Sequence, residues 1–149
     1  MIRKAEERDY EQLVSLARIF TVESDLPLTY NEARTRKTIW EAMHRSDTDL
    51  LVSEQDDVVN GAALVIYEAQ YYDETCAYVD KLFVHKELRG YGVADELLEE
   101  ALAKCHERNV RLIFASATAG MGERVEKLYV RLFERHGFFV LGRIIMRAL

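Results

Sequence analysis

The chain has little of what disulfide-stapled or metal-dependent proteins are built from. Two cysteines in 149 residues, Cys76 and Cys105, are too few for a disulfide framework, and reduced, buried thiols are the expectation. Four scattered histidines add no metal-ligand spacing, so no metal is expected. A single proline, Pro27, and no low-complexity stretch leave no linker, and residues 1–149 are expected to form one domain. No apolar run is long enough for a signal peptide or a membrane span, which predicts a cytoplasmic protein without a membrane partner. The net charge of −6 speaks against a nucleic-acid partner held by phosphate neutralisation. It suits a cationic substrate, and equally a merely soluble acidic surface.

What is present centres on residues 78–108. The first part, Tyr-Val-Asp-Lys-Leu-Phe-Val, is rich in β-branched and aromatic residues and predicts a strand. The last part carries Val93, Ala94, Leu97, Leu98, Ala101, Leu102 and Cys105 on one helical face. Between them lies Arg89-Gly90-Tyr91-Gly92-Val93-Ala94. A helix start exposes backbone N–H groups and the positive end of the helix dipole. Glycines let the backbone approach an anion closely, and arginine offers a planar fork of donors. Residues 89–94 therefore read as a pyrophosphate cradle. The same glycines begin the Gly-x-Gly-x-x-Gly of dinucleotide binders, but Asp95 stands at the third glycine and no acid follows the next strand, so that fingerprint fails.

Either side of this centre the periods alternate. Residues 2–5 suit a first strand. Asp9 with Gln12, and Thr29 with Glu32, form capping-box patterns that open two helices, the second running to about residue 45. Residues 21–30 between them form a polar loop carrying Glu23 and Asp25. Strands are expected over 50–53 and 58–67 with a turn at 54–57, and again over 77–84 and 111–117. Val125, Leu128, Tyr129, Leu132, Phe133 and His136 line a last helix closed by Gly137, with strands over 138–141 and 143–148. The order is β-α-α-β-β-β-α-β-α-β-β, an α/β chain with a mixed sheet.

Residues 89–94 meet the motif Arg or Gln, two residues, Gly, one residue, Gly or Ala. Leu132-Phe133-Glu134-Arg135-His136-Gly137-Phe138 is similar to a closing Leu-Tyr-Glu-Lys-x-Gly-Phe. On these motifs the chain resembles the GNAT superfamily of N-acetyltransferases over nearly its whole length. The strand text 78–84 resembles the polyamine-acetylating branch. The resemblance implies a GNAT-like acyl-CoA N-acyltransferase fold, with acetyl-CoA as co-substrate. Backbone groups of Leu82, Phe83 and Val84 would bond the pantetheine arm, and N–H groups of Arg89, Gly90, Tyr91, Gly92, Val93 and Ala94 the pyrophosphate. The partner would be a small-molecule or protein amine attacking the thioester directly. Asp80 would bind the amine or take its proton, and Glu23 in the loop would bind the substrate. Family habit admits a homodimer. Phe133 departs from the pattern, because it replaces the tyrosine that protonates the leaving thiolate. Tyr129, one turn earlier, is the substitute, or else water protonates the thiolate. The rival expectation is a CoA-binding regulatory or interaction module on the same fold.

Overall fold

A computed structural model describes residues 1–69, 73–117, 122–142 and 147. The elements are β1 (Ile2–Lys4), α1 (Tyr10–Glu23), α2 (Glu32–His44), β2 (Thr48–Gln55), β3 (Val58–Glu68), β4 (Cys76–Val84), α3 (Val93–Glu107), β5 (Leu112–Ala115) and α4 (Glu123–Arg135). The strands form one sheet in the order β1-β2-β3-β4-β5, antiparallel throughout except for the parallel β4–β5 pair. Strand alternation divides the core into two layers. Leu51, Ala63, Val65, Ala77, Val79, Leu82 and Val84 face Leu97, Leu98 and Ala101 of α3 and Leu132 and Phe133 of α4. On the opposite face, Leu50, Val52, Val59 and Phe83 meet Leu13 and Leu16 of α1 and Ala42 of α2. Burial of these side chains, at about 25 cal/mol per Å² of apolar surface, is the main force holding helices to sheet.

The β2–β3 hairpin turns through Asp56 and Asp57, both left-handed, at φ of 52° and 62°. This two-residue primed turn matches the right-handed twist of its strands. Two bulges interrupt the ladders, leaving Asn60 unpaired on β3 and Asp80 unpaired on β4. The second matters for function. The parallel pairing of β4 with β5 ends at Val79↔Ala115, beside the Asp80 bulge, so the rest of β4 has a free edge among the described residues where the strands part.

Several local expectations are corrected. Asp9 does not cap α1 through Gln12. Its carboxylate takes both Arg3 nitrogens at 2.7 and 2.8 Å and the Glu6 N–H at 2.8 Å, and a 3-10 turn over Glu7–Asp9 leads into the helix. Gln12 instead reaches the β2–β3 hairpin, donating to the Asp57 carbonyl at 3.1 Å and accepting from the Val59 N–H at 2.8 Å. Asn31, not Thr29, caps α2, with its Oδ1 accepting the Arg34 N–H at 2.9 Å. Glu32 is occupied by Arg18, Tyr30 and Arg36. Helix α1 also runs three residues into the expected loop, so Glu23 is its last residue. Gly137 closes α4 as expected, at φ +85°, with the Phe138 N–H reaching back to the Phe133 carbonyl at 3.1 Å. Residues 138–141 are not in a strand. Phe138 turns in against Phe133 at a 5.2 Å centroid distance, and 138–141 find no ladder partner among the described residues. Nearly all of the expected strand over 143–148 lies outside the described residues.

Candidate active site at the parting of β4 and β5

At the free edge of β4, alternation decides which backbone groups are offered. The Leu82 carbonyl accepts the Tyr129 hydroxyl at 2.5 Å and the Val84 carbonyl accepts Arg89 Nε at 2.9 Å, so both point away from β3. The N–H of each residue leaves on the same side as its carbonyl. Phe83 is turned the other way: its carbonyl lies 3.1 Å from where a Cβ on Gly61 of β3 would stand. Of the three strand residues singled out from sequence, Leu82 and Val84 thus offer edge backbone. Phe83 contributes its ring, stacked under the Arg89 guanidinium at 5.2 Å and met edge-on by Phe20 at 5.3 Å.

Beyond Val84 a short 3-10 turn, Lys86–Leu88, leads to the two glycines. Gly90 and Gly92 have φ of +89° and +87°, a region that side chains other than glycine rarely enter. Neither would meet anything within 4 Å if given a Cβ, so the surface above them is open. Gly92 is the N-cap of α3 and lends no side chain to the first turn, which leaves its leading N–H groups uncapped by any side chain at that residue. A cleft of about 580 Å³ runs from this turn to α4, bordered by Val84, Arg89, Gly90, Gly92 and Ala94 on one wall and Arg124, Leu128, Tyr129 and Arg135 on the other. Arg135 is itself bonded to Asp95 in the first turn of α3, at 2.8 and 3.1 Å. Tyr91 points outward and is exposed.

A smaller cavity of about 150 Å³ adjoins the first, lined by Phe20, Leu26, Asp80, Lys81, Leu82, Ser116 and Phe133. Tyr129 borders both cavities. Burial drives its hydroxyl pKa upward, with Glu23 adding to the rise and Arg89 opposing it, so the phenol stays protonated at neutral pH. Asp80 is exposed on the bulge and pairs with the adjacent Lys81 at 2.7 Å. Glu23 forms a short ion pair with Arg89, so the expected substrate acid and the expected phosphate arginine meet each other. Phe133 lies in the core, stacked on Tyr129 and tilted against Phe138.

The two cavities thus share Tyr129, beside the edge of β4 and the glycine-rich start of α3. The acetyltransferase (GNAT) family profile matches residues 10–138. The chain belongs to the GNAT acetyltransferase family. The chain is 29% identical over 151 residues to the "Putative phosphinothricin acetyltransferase YwnH" of Bacillus subtilis (strain 168), covering 95% of this chain and 85% of that protein. Its fold matches a predicted acetyltransferase with acetyl-CoA from Clostridium acetobutylicum with a TM-score of 0.78 at 18% identity, over 99% of this chain and 95% of that one. It also matches the aminoglycoside N-acetyltransferase AAC(6')-Iy in complex with CoA with a TM-score of 0.80 at 14% identity, over 100% of this chain and 93% of that one. The GNAT chain has no helix, among the described residues, long and apolar enough to cross a membrane. No group of metal-binding side chains occurs among the described residues either.

Sequence reasoning missed Arg124 and Arg135. They stand at the two ends of the α4 face that also carries Val125, Leu128 and Leu132. The helical spacing of an arginine before and after an apolar stripe was the signal for them.

Proposed function

We propose that this GNAT protein transfers the acetyl group of acetyl-CoA to a primary amine, with the co-substrate along the larger cleft and the amine in the smaller one. The observation carrying this reading is the meeting of the two cavities at Tyr129, beside the free edge of β4. The residues fit the co-substrate. Leu82 and Val84 present edge backbone to an extended amide-bearing arm, and the open turn over Gly90 and Gly92, with Val93 and Ala94, suits a diphosphate. Arg89 and Arg124 add positive charge to an otherwise acidic protein.

In the reaction the amine nitrogen bonds to the thioester carbonyl carbon while the C–S bond breaks. The outward N–H of Val84 or Leu82 stabilises the oxyanion. The Tyr129 hydroxyl gives its proton to the departing sulfur and regains one from solvent. Asp80, at the mouth of the smaller cavity, takes the amine proton through water, and Glu23 helps to hold the cationic acceptor. The acceptor is a small polyamine-like or drug-like amine, or a protein amine, and Asp80 in the lining of this cavity suits a cation.

A second reading, a CoA-binding regulatory module, is favoured by one observation: Phe133 offers no proton where the family motif has tyrosine. Calorimetric titration with acetyl-CoA, followed by thiol-release assays across a panel of amines, tests both. Turnover with any amine removes the second reading, binding without turnover supports it, and no binding by folded protein overturns both.

A further inference from the structure

We infer that Arg89 and Glu23 form an exchangeable clasp that couples the co-substrate cleft to the acceptor cavity, an inference that rests on the proposed function. Arg89 borders the larger cleft, yet its guanidinium is committed elsewhere. Nε donates to the Val84 carbonyl at 2.9 Å, the plane lies over the Phe83 ring at 5.2 Å, and Nη2 holds the Glu23 carboxylate. Glu23 is the last residue of α1, and Phe20 one turn earlier packs edge-on against the same Phe83. The end of α1, which walls the smaller cavity through Phe20, is thereby tied to the start of the glycine turn, 66 residues away in sequence.

A diphosphate in the larger cleft carries more negative charge than one carboxylate and competes with Glu23 for the same guanidinium. Winning Arg89 costs the Glu23 pair, whose side chains are part-exposed, so the exchange is within reach of ordinary binding energy. Glu23 is then left at the end of α1 as an uncompensated anion, between Phe20 and Leu26, which both line the acceptor cavity. An ammonium ion is the partner that restores its charge balance. Phosphate binding on one side therefore favours cation binding on the other, and by linkage the reverse holds equally.

The test is calorimetric titration of CoA into wild-type protein, Glu23→Gln, Arg89→Ala and the double variant, each first shown to be folded by circular dichroism. Relieved of competition, Glu23→Gln should bind CoA about two- to fivefold more tightly than wild type, the gain expected of one part-exposed ion pair. That gain should vanish when Glu23→Gln is made in the Arg89→Ala background. An unchanged or weakened affinity in Glu23→Gln overturns the clasp and leaves a static brace. A gain that persists without Arg89 overturns it too, since simple repulsion between Glu23 and the phosphates would then account for it. If folded wild-type protein binds no CoA, the proposed function itself fails and the clasp falls with it. The first two failures, by contrast, leave that function standing.

Discussion

The Tyr129 hydroxyl donates to the Leu82 carbonyl at 2.5 Å, joining two residues 47 apart in sequence across the point where the sheet opens. Helix α4 thereby supplies a bond to a strand edge that β5 has left. The contact also places a protonated phenol on the backbone group that borders the smaller cavity.

Tyr129→Phe keeps the ring and removes the proton. Thiol release from acetyl-CoA with an accepted amine should fall by roughly a hundredfold, the low end for loss of a general acid. Stability should drop by only about 1 kcal/mol, the worth of one hydrogen bond. CoA affinity should hold nearly constant. A variant with full turnover would assign the proton to water.

At the other end of the sheet, Arg3 holds the Asp9 carboxylate well below the ordinary range; burial opposes this, and the Glu6 N–H assists it. The folded value lies below the unfolded one, near 3.9. The stabilisation is therefore complete above the unfolded value and is lost as pH falls through the folded one. Urea midpoints of the wild type should decline below about pH 4. The stability of Asp9→Asn should start lower by about 1.5–3 kcal/mol at pH 7, the worth of a charged hydrogen-bonded pair, with Arg3 keeping Glu54 as its remaining partner, and its midpoint should vary less with acid. Equal slopes in the two proteins would assign acid sensitivity elsewhere.

Cys105 is buried on α3, and burial pushes its thiol up to about 11. Cys76 at the start of β4 is only half-buried. With a thiol-reactive disulfide reagent at pH 8, Cys76 should label in the native protein and Cys105 only after denaturation. Mass spectrometry of the labelled peptides decides it. Early labelling of Cys105 would mean that α3 opens locally.

Gly92→Ala meets no atom within 4 Å, so its cost is that of the backbone alone, about 1–2 kcal/mol for a left-handed residue. The melting temperature should fall by roughly 2–8 °C. CoA affinity should fall by at least about tenfold if the turn must shift from its phosphate-binding shape. Gly61→Ala differs in kind. Its Cβ would come to 3.1 Å from both Leu97 Cδ1 and the Phe83 carbonyl, so it should destabilise through packing.

Much of the architecture was legible because it is written in short windows. The apolar face from Val93 to Cys105 has the period of a helix, the run 78–84 has the composition of a strand, and Gly137 stops α4 where a left-handed residue is needed. Caps were less legible. Asp9 and Thr29 have the right chemistry at the right spacing, yet Arg3 claims Asp9, and Asn31, two residues after Thr29, takes the cap. Side-chain oxygens bind the best donor that the fold brings near, and sequence spacing counts only the donors that are near along the chain.

The sequence by itself determined the order of the elements from β1 to α4 and the glycine turn at a strand–helix junction, and its motifs resembled the family to which the chain belongs. Each of these rests on backbone preference and periodicity, which act within a few residues. Only the tertiary structure decided that Asp80 sits on a bulge where β4 loses its neighbour. It likewise decided that Phe83 turns its carbonyl to β3, that Tyr129 reaches Leu82, and that Arg89 holds Glu23. Those relationships join residues from separate elements. Their partners are selected by sheet register and helix packing, which the whole core sets together.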